Sequence, residues 1–129
     1  MSVLTDIQAR LIAQSVGTSA NVFATYLNDS PDAAILLVQG SGQSPVKVMA
    51  DGSTVATYER PTVTVYARGT TSAAAEALLA AARAALEVQD TTLSGTLYIR
   101  IMRMGEAQLV GWSSTRVEWS QQFSVERRV

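Results

Sequence analysis

The sequence predicts an α+β domain, in which a mostly antiparallel sheet carries helices packed on one face. Three observations support this class: a helical pattern opens the chain, strand patterns come in runs, and an alanine-rich helix separates two of the runs. Consecutive strands without intervening helices pair antiparallel, whereas parallel strands need long crossover connections. The 129 residues contain no repeat and no linker, so residues 1–129 are expected to form one domain.

The first predicted helix covers residues 5–16. It begins at Thr5, a residue type favoured at helix N-caps, and glycine at Gly17 can end it. Three apolar side chains recur on one face of this helix: Ile7, Leu11 and Ile12. This face is therefore expected to pack against the sheet.

The second predicted helix covers residues 70–88 and is rich in alanine. At 100° per residue its small and aliphatic side chains lie on one face, namely Ala75, Leu79, Ala82 and Leu86. Glu76, Arg83 and Glu87 form the opposite stripe. A helix with an alanine face can approach a sheet closely.

The first half of the chain predicts a series of short strands. A short strand over residues 21–27 is followed by a polar turn and then by an apolar strand over 33–39, which the segment GSGQSP (40–45) interrupts as a loop. Val46–Met49 and Val55–Tyr58 flank Asp51-Gly52, a hairpin-turn signal. Residues 62–67 follow as an alternating strand with Val63, Val65 and Ala67 facing the core. Pro61 lacks an N–H group and is expected at the start or edge of this strand.

Two further strands are predicted in the second half. Residues 95–103 alternate, with Leu97, Ile99 and Ile101 on one face and Tyr98 on the other, and residues 105–111 are expected to form a turn or a short strand. Residues 115–125 alternate throughout. Their apolar face holds Val117, Trp119, Phe123 and Val125 with Gln121 as a polar interruption; the other face is polar: Arg116, Glu118, Ser120, Gln122, Ser124 and Glu126.

Composition excludes several classes of function. The chain contains no histidine and no cysteine, which rules out Ser–His and Cys–His nucleophile systems and zinc–thiolate sites. The net charge of −1 and the dispersed arginines predict no sequence-specific nucleic-acid binding. The N-terminal segment does not resemble a signal peptide, and no uncharged apolar run is long enough to cross a membrane. A cytoplasmic site of synthesis, with no membrane partner, is expected.

Two local motifs could suggest ligands, and both fit poorly. The glycine-rich segment 40–44 lacks the lysine and the following helix of a phosphate-binding loop. Asp29 and Asp32 match no complete calcium-loop pattern and are better explained as turn residues before the next strand. No metal and no cofactor are therefore expected.

The order of these motifs resembles the tail terminator, or minor capsid, proteins of long-tailed, non-contractile bacteriophages. The likeness covers residues 30–126 and consists of a Glu-x-Pro strand start, an arginine followed by a helix, a Gly-x-Leu-Tyr-Ile strand and a closing Arg-x-Glu-aromatic strand. An acidic residue common before the final strand of the family is missing here. The matching residues are Glu59, Pro61, Val63, Val65, Arg68, Ala74, Leu86, Gly95, Arg116, Glu118, Trp119 and Phe123.

The resemblance implies a structural role without catalysis. Such proteins form a homo-oligomeric ring, usually a hexamer, that caps the tail tube and then meets the head–tail connector protein. The expected location is the head-proximal end of the tail in the virion, after assembly in the bacterial cytoplasm. Two alternatives stay open: a head-completion or connector protein of the same virion, and a small-molecule or metal-binding α+β enzyme working without histidine or cysteine.

Six residues are predicted to contact a neighbouring subunit or another partner. Glu59, Arg60 and Arg68 lie at the two ends of the strand over residues 62–67. Trp112 lies in a glycine–serine segment where an aromatic side chain would be exposed. Arg116 and Glu118 begin a polar strand face that either meets solvent or lines a ring lumen or subunit seam. Glu59 and Glu118 are expected to be neutralised by Arg60 and Arg116 rather than to act as a catalytic pair.

Overall fold

The described residues form a curled six-stranded sheet and two helices, which confirms the predicted α+β class. The computed structural model describes residues 2–18, 21–25, 32–50, 54–113 and 115–128. The strand order is β1-β2-β3-β6-β5-β4, and every neighbouring pair is antiparallel except β1 and β2. The elements in chain order are α1 (Val3–Ala13), β1 (Val22–Ala24), β2 (Ala34–Ala50), β3 (Thr54–Gly69), α2 (Ser72–Leu86), β4 (Val88–Leu93), β5 (Thr96–Trp112) and β6 (Val117–Arg128).

Helix α1 begins earlier than the sequence pattern predicts. Ser2 is the N-cap, and its hydroxyl accepts a hydrogen bond from the Thr5 N–H at 3.2 Å. The helix ends at Ala13, because Ser15 adopts the left-handed conformation (φ 59°) that was expected of glycine. The predicted cap at Thr5 and stop at Gly17 were therefore wrong. Starting at Val3, the buried face becomes Val3, Ile7 and Leu11, while Ile12 is exposed.

Helix α2 matches its predicted face but is shorter at both ends. Thr71 caps it by accepting a hydrogen bond from the Ala74 N–H at 3.1 Å. The predicted apolar side chains are buried, namely Ala75, Leu79, Ala82 and Leu86. The helix ends at Leu86 because Val88 begins strand β4, which the sequence pattern did not predict. The N–H of Glu87 still bonds to the carbonyl of Arg83, the last bond of the helix.

Strands β2 and β3 are much longer than predicted and form one hairpin. The segment GSGQSP does not break β2; it contributes two β-bulges, between Gly40 and Gln43 and between Gln43 and Val46. Each bulge sets extra residues of β2 against a shorter stretch of β3. Ala50 pairs with Thr54, as a hairpin requires, and the predicted Asp51-Gly52 turn lies outside the described residues.

Pro61 lies inside a central strand, not at a strand start or an edge. It falls within β3, between β2 and β6, at the level of the first bulge. A proline is tolerated here because the bulge interrupts the ladder where an N–H group would be needed. Gly42 takes a positive φ of 65° in this bulge, and a Cβ atom on it would come within 2.2 Å of the Arg60 carbonyl oxygen. The glycine and the proline thus fit one irregular site.

Strand β5 also exceeds its prediction and contains three irregularities. Residues 105–111 continue the strand, and the turn to β6 instead follows Trp112. A register shift between Tyr98 and Arg100 breaks the simple alternation, so Tyr98 and Ile101 both face the core while Ile99 is only half-buried. Further shifts lie between Met104 and Gln108 and between Leu109 and Gly111. The β4–β5 hairpin turns through Ser94 and Gly95, both at positive φ.

One core lies between the helices and one face of the sheet. Val63, Val65 and Ala67 of β3 are buried, which confirms their predicted direction, and so are Phe123 and Val125 of β6. These side chains share a single cluster with the buried faces of α1 and α2. The opposite face of the sheet, here called the outer face, bears the polar residues of β6 that alternate with this core.

Candidate assembly surfaces

The outer face carries a shallow polar cleft of about 260 Å³. The strand register places Tyr66 opposite Ser120 and Thr64 opposite Gln122, and these four residues line the cleft together with three residues of β5. Apart from Glu106, the lining is uncharged. A surface of hydroxyl and amide groups can face water without attracting phosphate or a metal ion strongly.

At the upper end of the sheet, where β5 ends and β6 begins, Asp32 bonds to two arginine side chains. Its carboxylate oxygen Oδ1 accepts a hydrogen bond from Arg116 Nε at 2.9 Å, and Arg116 Nη2 lies 2.8 Å from the same atom. The backbone carbonyl of Asp32 accepts a bond from Arg68 Nε at 3.0 Å. Asp32, expected only as a turn residue, thus joins the start of β2 to β3 and β6.

Arg68 belongs to the interior of the upper end. Its exposure is only 4%, and it lies opposite Glu118 in the β3–β6 ladder. Burying an arginine is costly unless bonds within the fold offset its desolvation, so Arg68 is a structural part of its own subunit. Arg116 and Glu118 remain half-buried and reach the surface beside Trp112.

Trp112 is the most exposed of the large apolar side chains described, at 76%. It is the last residue of β5 and lies opposite Val117. A shallow cleft of about 280 Å³ surrounds it, lined also by Gly111, Arg116 and Glu118. The exposure agrees with the sequence pattern, and the role of Trp112 in contacting a partner stays a prediction.

The lower end of the sheet, where β6 ends, holds a buried polar network. Glu59 accepts a hydrogen bond from Arg127 Nε at 2.8 Å, and Arg127 Nη1 lies 3.6 Å from Asp6 Oδ2. The Tyr98 hydroxyl donates to the same Asp6 oxygen. Asp6 is 1% exposed and belongs to α1, so the network fastens this helix to β3, β5 and β6.

Two members of this network, Tyr98 and Arg127, have shifted pKa values. Burial raises the pKa of the Tyr98 hydroxyl above its usual range, and the hydrogen bond to Asp6 raises it further. Burial disfavours the charged form of Arg127, but hydrogen bonds to Glu59 and Tyr98 outweigh this effect and raise its pKa. Tyr98 therefore remains a neutral donor and Arg127 a cation at any pH near neutral.

Arg60 also lies toward the lower end, where it supports the second bulge of β2. Its Nε and Nη2 atoms donate to the Ser44 carbonyl at 2.9 and 2.7 Å. The side chain remains half-buried. Arg60 therefore contributes to its own hairpin and still presents a charge at the surface.

The six predicted contact residues fall into two groups. Arg68, Trp112, Arg116 and Glu118 lie at the upper end, whereas Glu59 and Arg60 lie toward the lower end. Glu59 lies opposite Arg127, nine residues along β6 from Glu118, a span of about 30 Å. Glu59 therefore does not approach Glu118, and Arg127 neutralises it in place of Arg60.

Gln121 explains the polar interruption on the apolar face of β6. It is 1% exposed and lies opposite the widest bulge of β5. Its Nε2 donates to the carbonyls of Met104 and Gly105 at 3.2 and 3.1 Å, and also approaches the Gln122 carbonyl. The interrupted alternation was a signal for this role, since an amide in a core strand requires polar partners.

The described residues show neither the pattern of a metal site nor that of a membrane span. The parts of the chain that the structure describes contain no group of three or more acidic side chains placed to hold a metal ion. None of their helices is long and apolar enough to cross a membrane. Their distinctive surfaces are the polar outer face and the two ends of the sheet.

Comparison with known proteins identifies the family. The model of a family described as bacteriophage tail terminator protein matches residues 10–125. No curated protein matches the sequence. A chain in a structure titled "Virion of native gene transfer agent (GTA) particle" has a similar fold, with a TM-score of 0.61 and 16% identity over 99% of this chain and 96% of that one. Because the family model covers most of the sequence, the chain belongs to the bacteriophage tail terminator protein family.

Proposed function

We propose that this virion structural protein forms a hexameric ring. The ring closes the tail tube at its head-proximal end and joins the tube to the head–tail connector. The family match over residues 10–125 is the observation that carries the proposal. The similar chain from a gene transfer agent virion supports a place in a phage-like particle. Its partners are further copies of itself, the tail tube protein and the connector protein, and it needs neither a catalytic reaction nor a cofactor.

The outer face supports this role as the lining of the ring channel. Ser120, Gln122 and Ser124 alternate with core residues along β6 and present hydroxyl and amide groups on the helix-free side. A water-filled channel requires a polar wall. The cleft on this face is lined by no cationic side chain, so nucleic acid passing along it would find no phosphate-binding group there to retain it.

The upper end supports the role as a contact with other subunits or with the tube. Trp112 is exposed, and Arg116 and Glu118 lie beside it. Aromatic and arginine side chains carry much of the binding energy in protein interfaces when a partner covers them. Arg68, being buried, supports this surface from within and does not contact the partner.

Electron microscopy of the purified protein, alone and mixed with purified tail tubes that lack a terminator, tests the proposal. Rings with a central hole, and tubes capped at one end that then join to heads, are expected. Binding to heads but never to tubes would instead identify a head-completion protein. A monomer under both conditions would overturn the ring.

A further inference from the structure

Two long stretches of strand edge lack a ladder partner among the described residues. Strand β4 pairs with β5 only as far as Ile101, so residues 102–112 of β5 have a neighbour on one side alone. Among the described residues, strand β1 pairs with β2 only through Leu37, so the outer edge of residues 38–50 has no described ladder partner. We name these the β5 open edge and the β2 open edge.

The β5 open edge exposes several large apolar side chains. Five large apolar side chains on it are 43–76% exposed: Met102, Met104, Leu109, Val110 and Trp112. By ladder position Met102 and Met104 belong to the outer face, whereas Leu109 and Trp112 lie opposite inward-facing positions of β6. A long apolar edge exposed on both faces promotes uncontrolled strand pairing, so the native assembly is expected to cover it.

The chain itself offers a partner edge of matching length and direction. The β5 open edge spans residues 102–112 and the β2 open edge residues 38–50. Because β2–β3, β3–β6 and β6–β5 are all antiparallel, β5 and β2 run in opposite directions. A neighbouring copy in the same orientation would therefore add its β2 to β5 as an antiparallel pair, continuing the alternation of the sheet.

The two open edges are staggered along the strands, and the stagger matches a barrel-like ring. The positions of both edges can be read along β6, through the residues that pair across the sheet. The middle of the β2 open edge is level with Glu59, which pairs with Arg127 of β6, whereas the middle of the β5 open edge is level with Gln121 of β6. The six residues from 121 to 127 correspond to about 20 Å, and the four strands from β2 to β5 to about 19 Å of sheet width. Each added copy thus shifts along the strands by about the width that it adds. The strands would tilt by roughly 45° to the ring axis, at the upper limit for closed barrels.

We infer that subunits of this protein join by pairing the β5 open edge of one copy with the β2 open edge of the next. The contact is heterologous, since it uses two different surfaces, and such a contact can close into a ring. The inference rests on the proposed ring and specifies how that ring is joined. Matching the two midpoints, Ala107 and Ser44, places Gln108 opposite Gln43 across the contact.

Engineered disulfides test this pairing directly, because the natural chain has no cysteine. In the double variant Gln108→Cys/Gln43→Cys, both positions are exposed within one subunit. Opposed Cα atoms in an antiparallel pair lie about 4.5–5.5 Å apart, within the range that a disulfide spans. Oxidation is expected to give a ladder of covalent multimers on denaturing gels. Each single variant should give almost no covalent multimers. The matched control is the double variant Gln108→Cys/Ala77→Cys, in which the second cysteine lies on α2.

Particle mass, measured by light scattering before oxidation, separates the two proposals. Edge pairing would be overturned, with the ring left intact, if oligomers form but two results are negative. In these oligomers the disulfide between positions 108 and 43 would form no more than in the Ala77→Cys control, and amide exchange in residues 102–112 would not slow. Dimers formed by the Gln108→Cys variant alone would replace it with a symmetric β5–β5 contact. A monomer at every concentration, with and without tail tubes, would overturn both proposals.

Discussion

The lower and the upper end of the sheet contain similar residues and use them differently. At the lower end Asp6, Tyr98, Arg127 and Glu59 are bonded to one another, and the network holds α1 against the sheet. At the upper end Arg68 and Arg116 are anchored by Asp32, but Trp112 and the adjacent strand edge remain exposed. Polar bonding consolidates the subunit at one end. At the other end it anchors two arginines close to apolar side chains that stay exposed.

The largest effect is expected from removing the carboxylate of the lower network. Asp6→Ala would leave the Tyr98 hydroxyl and part of the Arg127 guanidinium buried without their acceptor. Such losses cost about 3–5 kcal/mol of folding stability. Chemical denaturation would measure the change, with Glu126→Gln in the exposed pair with Arg100 as the control, expected to lose less than about 1 kcal/mol. Equal losses in both variants would show that the buried network is not special.

Charge reversal at Arg68 and at Arg60 should lower folding stability by different amounts, because Arg68 is buried and Arg60 lies partly at the surface. Arg68→Glu places a carboxylate in a buried site opposite Glu118 and is expected to cost about 3 kcal/mol or more. Arg60→Glu loses the bonds to the Ser44 carbonyl at a half-buried position and should cost about 1–2 kcal/mol. Urea midpoints give both values. If Arg68→Glu remained stable and only assembly failed, Arg68 would be an interface residue, as the sequence pattern first suggested.

Gln121 tests whether the wide bulge of β5 depends on its amide. Gln121→Ala removes the donor that bonds to the carbonyls of Met104 and Gly105, and a loss of about 1–3 kcal/mol is expected. The exposed neighbour Gln122→Ala should change stability by less than about 0.5 kcal/mol. Thermal unfolding of both variants, followed by circular dichroism, makes the comparison. An unchanged midpoint for Gln121→Ala would mean that water replaces the amide.

The smallest effect on folding is expected at Trp112, together with a clear effect on assembly. Because the side chain is 76% exposed, Trp112→Ala should alter stability by less than about 0.5 kcal/mol. Loss of an aromatic contact should weaken subunit or tube binding by at least about 1 kcal/mol, or roughly fivefold. Sedimentation at several concentrations would detect this. If the variant assembled normally, Trp112 would not be an interface residue.

Local patterns predicted the parts of the fold that depend on one element at a time. The alternation in β3 and β6 identified the buried side chains, because successive residues of a strand point to opposite faces whatever the strand pairs with. The face of α2 was predicted for the corresponding reason. The exposure of Trp112 was also predicted correctly, from its neighbouring glycine and serine residues.

Features that depend on distant partners were not predictable in this way. Because of the bulges near Gly42 and Gly105, β2 and β5 continue through segments whose composition suggested loops. A bulge is defined by extra residues relative to the neighbouring strand, so it cannot be recognised from one strand alone. The hydrogen bond from Tyr98 to Asp6 joins residues 92 positions apart.

The sequence by itself determined the α+β class, the faces of its main elements and the likeness to tail terminators. The tertiary structure decided which charges are buried, as at Arg68, and which strand edges are left open, as along residues 102–112. The reason is physical: side-chain direction follows from the local backbone period, whereas burial and edge exposure are set by elements that the local sequence does not specify.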